Sequence, residues 1–208
     1  KEIKPEKMKV AIQGFGNVGR YTALACQEFG MKVVAISDIS GMIRDSKGID
    51  ISEIFQYSLL SEAKGYELDL PENLLESECD VLIPAALGGV ITEKNAHNIK
   101  ADFIIEGANQ PITLEADILL REKGVTIVPD ILANSGGVMG SYFEWTQNIQ
   151  QFSWGIDKFR KELDSRLNKS FNEVQKSAKK YKVDLRTASY ILAVERVAEA
   201  FLSRGSLV

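Results

Sequence analysis

Three glycines and one acid near the start of the chain have the spacing of a phosphate-binding turn. The glycines are Gly14, Gly16 and Gly19, and Asp38 comes 19 residues after Gly19. Gly14 lets the chain leave a strand in a tight bend, Gly16 keeps side-chain atoms away from a pyrophosphate, and Gly19 allows a helix to pack closely. Unpaired N–H groups and the helix dipole favour an anion at the helix N-terminus. The spacing therefore predicts a cradle for a diphosphate.

The sequence around these glycines supplies the strands and the helix that such a turn requires. Residues 9–13 are mostly apolar, residues 17–30 are amphipathic, and residues 32–38 form a second apolar run that ends at Asp38. A carboxylate about 20 residues beyond the turn accepts hydrogen bonds from an adenosine ribose in strand–helix–strand units of this kind. The context favours a dinucleotide site over an ordinary strand-to-helix turn, which is the alternative interpretation of the glycines alone.

The composition narrows the class of protein further. The chain has 208 residues, 45% of them apolar, and a net charge of −4 with both signs interspersed. No basic stripe is visible, so we do not expect binding to nucleic acid. No run approaches the roughly 20 apolar residues of a membrane span, and we expect a cytoplasmic location. We interpret Cys26 and Cys79 as reduced, packed thiols, and the single His97 predicts no metal site.

Strand and helix patterns alternate as far as residue 130. The apolar runs predict strands over 79–86, 101–106 and 125–130, and the periodicity predicts helices over 49–62, 92–99 and 113–123. Such alternation predicts an α/β fold, a Rossmann-like doubly wound and mainly parallel sheet with helices on both faces. A helical C-terminal segment follows, with helices over 156–180 and 184–203 and with Asp157 and Asp184 as their N-caps.

Small residues follow one of the predicted strands. Ala85 and Ala86 come directly after the apolar run that ends at Pro84. In open α/β sheets, ligands bind outside the carboxyl ends of the strands. The two alanines would leave room there for a cofactor ring or a ribose, the alternative being a loop with no ligand.

Several further motifs occur along the chain in a recognisable order: Pro84-Ala85-Ala86-Leu87, Glu106-Gly107-Ala108-Asn109, Val128-Pro129-Asp130, Asn134-Ser135-Gly136-Gly137-Val138 and Ser141-Tyr142-Phe143-Glu144-Trp145. Together with the glycine turn, they resemble the nucleotide-binding domain of the glutamate, leucine, phenylalanine and valine dehydrogenases. The resemblance covers essentially the whole chain. The Ser-Tyr-Phe-Glu-Trp run favours glutamate dehydrogenase within that family.

This resemblance implies the reversible oxidative deamination of L-glutamate to 2-oxoglutarate and ammonia, with NAD or NADP as cofactor and a homo-hexamer as the intact enzyme. The implied cofactor residues are Gly14, Phe15, Gly16, Asn17, Val18 and Gly19 for the pyrophosphate, Asp38 and Ile39 for the adenosine ribose, Ala85, Ala86 and Leu87 for the adenine and ribose path, and Asn109 and Asn134 for the nicotinamide end. Ser141 matches the serine that reaches the distal carboxylate of the substrate.

Three of these assignments have alternatives or qualifications at the level of the residues. Asn134 could instead be a helix N-cap, and Ser141 could be a small residue that permits close helix packing. Asp38 would repel the 2′-phosphate of NADP, which favours NAD. Arg44 and Lys47 follow in the next loop and could offset that charge.

The resemblance also implies a division of labour between domains. We expect residues 1–7 to be a linker from an N-terminal substrate domain, residues 8–150 to be the dinucleotide-binding domain, and residues 151–208 to be C-terminal helices packed on it. In the family, the substrate-binding lysines and the catalytic aspartate precede the glycine turn. We therefore expect no catalytic residue in this chain, and dinucleotide binding without glutamate turnover. The alternatives are a stand-alone NAD-binding or sensing module and the same domain of a leucine, phenylalanine or valine dehydrogenase.

Overall fold

The computed structural model describes residues 4–205. The chain divides into two compact units, one ending at Ile127 and the other beginning at Val128. The predicted linker falls partly on residues 1–3, which lie outside the described residues. Its remainder includes a 3₁₀ turn, Pro5–Lys7. The predicted functional division at residue 150 stays a prediction.

The first unit is organised on a sheet whose strand order is β3-β2-β1-β4-β5-β6. Its strands are β1 Lys9–Gln13, β2 Lys32–Asp38, β3 Gly41–Arg44, β4 Val81–Pro84, β5 Phe103–Ile105 and β6 Thr126–Val128. Strand β1 pairs in parallel with β2 and β4, and β4 pairs in parallel with β5. Strand β3 turns back antiparallel to β2. The predicted α/β class with a mainly parallel sheet is confirmed.

The central strands carry uninterrupted apolar residues between their ends because both faces of the sheet are covered. Helices α1 Asn17–Glu28 and α3 Leu114–Glu122 contribute to the two separate apolar clusters. Ala23 of α1 packs in the cluster that contains Ile12, whereas Leu120 of α3 packs in the cluster that contains Ala11. Because neighbouring residues of a strand point to opposite faces, helices lie on both sides of the sheet, as predicted.

Two of the predicted helices are wrong. Over 49–62, only Ile51–Ile54 is helical (α2), and a separate 3₁₀ turn follows at Leu60–Glu62. The backbone carbonyls of Phe55, Tyr57 and Ser58 accept hydrogen bonds from the Arg20 side chain instead of from helix amides. A tertiary contact therefore replaces the helix that the apolar pattern predicts.

The predicted helix over 92–99 is a turn followed by a short 3₁₀ segment, Ala96–Asn98. The Asn95 side chain accepts a hydrogen bond from the Thr92 N–H at 2.8 Å and donates one to the Val90 carbonyl at 2.9 Å. Asparagine side chains that bond to nearby backbone in this way compete with helix formation.

The second unit is helical. It contains α4 Asp130–Ala133, α5 Ser135–Gln150, α6 Ile156–Tyr181 and α7 Leu185–Ser203. Leu132, Val174 and Ala188 form its buried centre, one from each of α4, α6 and α7. Asp130 forms an ion pair with Arg186 at 3.7 Å, which links α4 to α7.

The structure shows the state of the two cysteines. Cys26 and Cys79 are free, and burial raises the pKa of Cys26 to about 11 and that of Cys79 to about 12.

Between residues 4 and 205, no helix combines the length and the apolar character needed to cross a membrane. No group of three or more His, Cys, Asp or Glu side chains in that range could hold a metal ion.

The N-caps of the two long C-terminal helices differ from each other, and this difference can be measured. Asp184 caps α7, because its side chain accepts hydrogen bonds from the Thr187 N–H at 2.9 Å and from the Thr187 hydroxyl at 2.8 Å. Asp157 is not the predicted cap of α6, since Gly155 occupies that position. We expect Asp184→Ala to lower the free energy of unfolding by about 1 kcal/mol in urea denaturation. Asp157→Ala, the matched control, should lower it by clearly less, and equal losses would contradict the assignment.

Candidate dinucleotide-binding cleft

The turn after β1 has the backbone geometry that only glycine adopts easily. Gly14 has φ +101°, and its N–H donates to the Ser37 carbonyl at 2.8 Å, which ties the turn to β2. A Cβ atom on Gly14 would lie 2.9 Å from the Cβ of Ala86 and 3.0 Å from the Ala85 carbonyl oxygen. The turn is therefore packed against the residues that follow β4.

Gly16 and Gly19 have different surroundings and therefore different roles. A Cβ on Gly19 would lie 1.8 Å from the Gly14 carbonyl oxygen, a distance that no side chain tolerates. The close approach is chiefly to the turn itself, while the nearest strand atom, in Ile12, is 3.6 Å away. Gly16 occupies the N-cap of α1, and a Cβ there would meet nothing within 4 Å. The backbone at Gly16 is open to a ligand.

Asp38 ends β2 with its carboxylate already held by neighbouring groups. Its Oδ1 accepts hydrogen bonds from the Ser40 N–H at 2.7 Å and the Ser40 hydroxyl at 2.6 Å, and its Oδ2 accepts one from the Leu60 N–H at 2.7 Å. A carboxylate offers about four acceptor positions. One position, on Oδ2, remains for a ligand hydroxyl.

The ends of β1, β2 and β4 enclose a cleft of about 660 Å³, within the range of ordinary small-molecule sites. The predicted residues that line it are Gly14, Phe15, Gly16, Asp38, Ile39, Ala85, Ala86 and Leu87. Asn17, Val18 and Gly19 form the first turn of α1 immediately beyond Gly16. The structure thus brings together the residues predicted for the pyrophosphate, the ribose and the adenine path.

The residues predicted for the nicotinamide end and the substrate lie elsewhere in the chain. Asn109 is exposed in the loop after β5, and its carbonyl oxygen lies 2.9 Å from where a Cβ of Gly88 would be. Asn134 and Ser141 belong to the second unit, with Asn134 half-buried and Ser141 exposed on α5. Asn134 occupies the N-cap position of α5, but its side chain makes no capping hydrogen bond. The roles predicted for these three residues stay predictions.

Arg20 is a residue of this site that the sequence did not single out. Its guanidinium donates to the carbonyls of Phe15 and Phe55 at 2.7 and 2.9 Å, and to those of Tyr57 and Ser58 at 2.5 and 2.9 Å. It also lies over the Phe15 ring, 4.5 Å from the ring centre. The sequence shows an arginine directly after the last glycine of the turn. Its four acceptors, however, are backbone carbonyls, and no sequence pattern specifies such partners.

The family model for glutamate/leucine/phenylalanine/valine dehydrogenase matches residues 1–205. The chain belongs to this family. The resemblance inferred from the motifs is therefore confirmed, and dehydrogenases of this family use nicotinamide dinucleotides as cofactors.

Individual relatives agree with the family assignment. Glutamate dehydrogenase of Thermotoga maritima is 49% identical to this chain over 98% of the chain and 50% of the relative. The hetero-hexameric glutamate dehydrogenase of Thermus thermophilus, solved with leucine bound, is 33% identical with a TM-score of 0.91, over 100% of this chain and 50% of that one. The glutamate dehydrogenase of Peptoniphilus asaccharolyticus is 36% identical with a TM-score of 0.81, over 96% and 48%. The chain thus spans about half the length of these relatives.

The contrast between Gly16 and Gly19 gives a test of the turn. We expect Gly19→Ala to lower the free energy of unfolding by about 3 kcal/mol, because the added methyl group would overlap the Gly14 carbonyl. Gly16→Ala should lower it by less than about 1 kcal/mol, since its methyl group enters open space. Urea denaturation of both variants measures the difference, and equal stabilities would show that the close approach at Gly19 is wrong.

Proposed function

We propose that this chain binds NAD in the cleft at the ends of β1, β2 and β4, as the cofactor-binding half of a glutamate dehydrogenase. The observation that carries the proposal is the open backbone at Gly16, which lies at the N-terminus of α1 in the cleft that Asp38 also lines. The three relatives described above are all glutamate dehydrogenases, which supports glutamate as the substrate of the intact protein. That protein would oxidise L-glutamate and release 2-oxoglutarate and ammonia.

The residues of the turn fit a diphosphate. The first amides of α1 have no acceptor within the helix, and the helix dipole adds positive potential at the same place. Asn17 and Val18 are exposed and follow Gly16 directly, so their N–H groups would complete the cradle. When bound, the cofactor supplies the hydride acceptor, while this chain positions it.

The surroundings of Asp38 support NAD over NADP. The register of β2 and β3 pairs Asp38 with Gly41 and pairs Arg44 with Ala35, which lies three residues and about 10 Å before Asp38 in β2. Arg44 also forms an ion pair with Asp69. Its charge is therefore directed away from the place where a 2′-phosphate would meet the Asp38 carboxylate, and the free acceptor position on Asp38 suits a ribose hydroxyl.

The remaining assignments follow from the family. We propose that Asn109 and Asn134 bind the nicotinamide end, and that Ser141 contacts the distal carboxylate of glutamate. Because the relatives are about twice as long as the region matched, the groups that hold and deprotonate glutamate would lie in the other half. The hexameric relative from Thermus thermophilus supports a hexamer for the intact protein.

Cofactor titrations test the binding site. When binding is followed by the fluorescence of NADH and NADPH, we expect the chain to bind NADH at least tenfold more tightly than NADPH, because Asp38 would repel the 2′-phosphate.

Gly16→Ala should weaken NADH binding by about tenfold or more without unfolding the protein, since its methyl group would occupy the path of the pyrophosphate. Asp38→Asn should reduce the preference for NADH. The control Asp102→Asn removes an exposed carboxylate outside the cleft and should change neither affinity. Tighter binding of NADPH by the wild-type chain would refute the NAD assignment.

An activity assay tests whether this chain binds the cofactor without oxidising glutamate. We expect these 208 residues to bind NADH but to form none from NAD and L-glutamate, because hydride transfer requires the substrate to be held against the nicotinamide. The full-length protein is the control and should form NADH under the same conditions. Glutamate oxidation by the 208 residues alone would contradict the proposal that the other half is required.

A further inference from the structure

We propose that Arg20 is a positioning residue for cofactor choice, because it holds the segment of residues 55–61 in the place from which that segment orients Asp38. The inference rests on the proposed function, in which Asp38 distinguishes a ribose hydroxyl from a 2′-phosphate. It adds a determinant that lies outside the fingerprint of three glycines and one acid.

Arg20 fixes one end of segment 55–61. Its guanidinium donates to three carbonyls there, those of Phe55, Tyr57 and Ser58, while its Nε donates to Phe15 in the glycine turn. Carbonyls in irregular backbone need such donors, and the planar guanidinium presents five N–H groups in a fixed fork. Lysine has the same charge but cannot reproduce this pattern. Arginine at this position therefore ties the segment to the turn.

Asp38 and Ser40 fix the other end of the same segment. The Leu60 N–H donates to Asp38 Oδ2 at 2.7 Å, and the Ser61 N–H donates to the Ser40 hydroxyl oxygen at 3.0 Å. Ser40 in turn donates to Asp38 Oδ1. Ser58, which Arg20 anchors, and Leu59, which follows it, line the cleft. Segment 55–61 thus connects the pyrophosphate turn to the ribose carboxylate.

This connection has a consequence for Asp38. The bond from Leu60 determines which acceptor position of Oδ2 is left for the ligand. If Arg20 no longer held the segment, the Leu60 N–H could move and the carboxylate could rotate about its side-chain torsions. A ribose hydroxyl would then lose its aligned acceptor, whereas a 2′-phosphate would meet a less firmly placed charge. Loss of Arg20 should therefore weaken NADH binding more than NADPH binding.

Arg20→Lys in the full chain tests this inference. We expect the dissociation constant for NADH to rise about tenfold and that for NADPH to change less, so that the ratio of the two constants falls. The control Arg196→Lys alters an arginine that pairs with Glu173 in the second unit, and it should leave the ratio unchanged. If a folded Arg20→Lys protein loses affinity for both cofactors by the same factor, Arg20 is merely structural and the inference is wrong.

Hydrogen exchange on the wild-type chain provides a second test that does not depend on the stability of a variant. NADH should slow exchange of the Leu60 and Ser61 amides, and NADPH at equal saturation should slow it less. Equal protection by both cofactors, or none by NADH, would overturn the inference. Failure of the wild-type chain to bind NADH at all would instead refute the proposed function, so the two failures can be distinguished.

Discussion

The site depends on one close approach between two stretches of backbone. The carbonyl of Gly14 occupies the space in which any side chain at position 19 would begin, so the turn and the first helical turn pack backbone against backbone. That contact places the N-terminus of α1 over the carboxyl end of β1. The residue after Gly19 is Arg20, and the same contact directs its side chain toward residues 55–58. The absence of a Cβ atom at position 19 therefore underlies both the geometry of the glycine turn and the contact of Arg20 with residues 55–58.

One wall of the cleft, at Ser58 and Leu59, belongs to a segment of irregular backbone whose hydrogen bonds are made largely by side chains. Asp38, Ser40 and Arg20 satisfy amides and carbonyls between residues 55 and 61 that no helix or strand pairs. Buried or half-buried backbone groups require such partners. Asp38, the residue proposed to determine cofactor choice, is thus also one of the side chains that stabilise this wall.

The residues proposed to contact the cofactor and the substrate are distributed over the two units of the chain. The glycine turn and Asp38 lie in the first unit, whereas Asn134 and Ser141 lie in the second. The chain also spans about half the length of its relatives. Binding one reactant and bringing it to a second are separate tasks, and the proposed function assigns only the first of them to this chain.

The sequence by itself determined the fold class, the mainly parallel character of the sheet and most of the cleft lining, because apolar runs, glycine spacing and a strand-terminal acid are local patterns with direct physical meaning. It also predicted the cap at Asp184, but it failed over 49–62 and 92–99, where apolar periodicity indicated helices. A tertiary contact decided the first segment, since the competing hydrogen bonds there come from Arg20. The second was decided locally, since the Asn95 side chain bonds to the backbone of Thr92 and Val90, which apolar periodicity does not register. Only the tertiary structure decided that Arg44 pairs with Asp69 and that Asp38 keeps one free acceptor, because these depend on strand register and on contacts between residues distant in the chain.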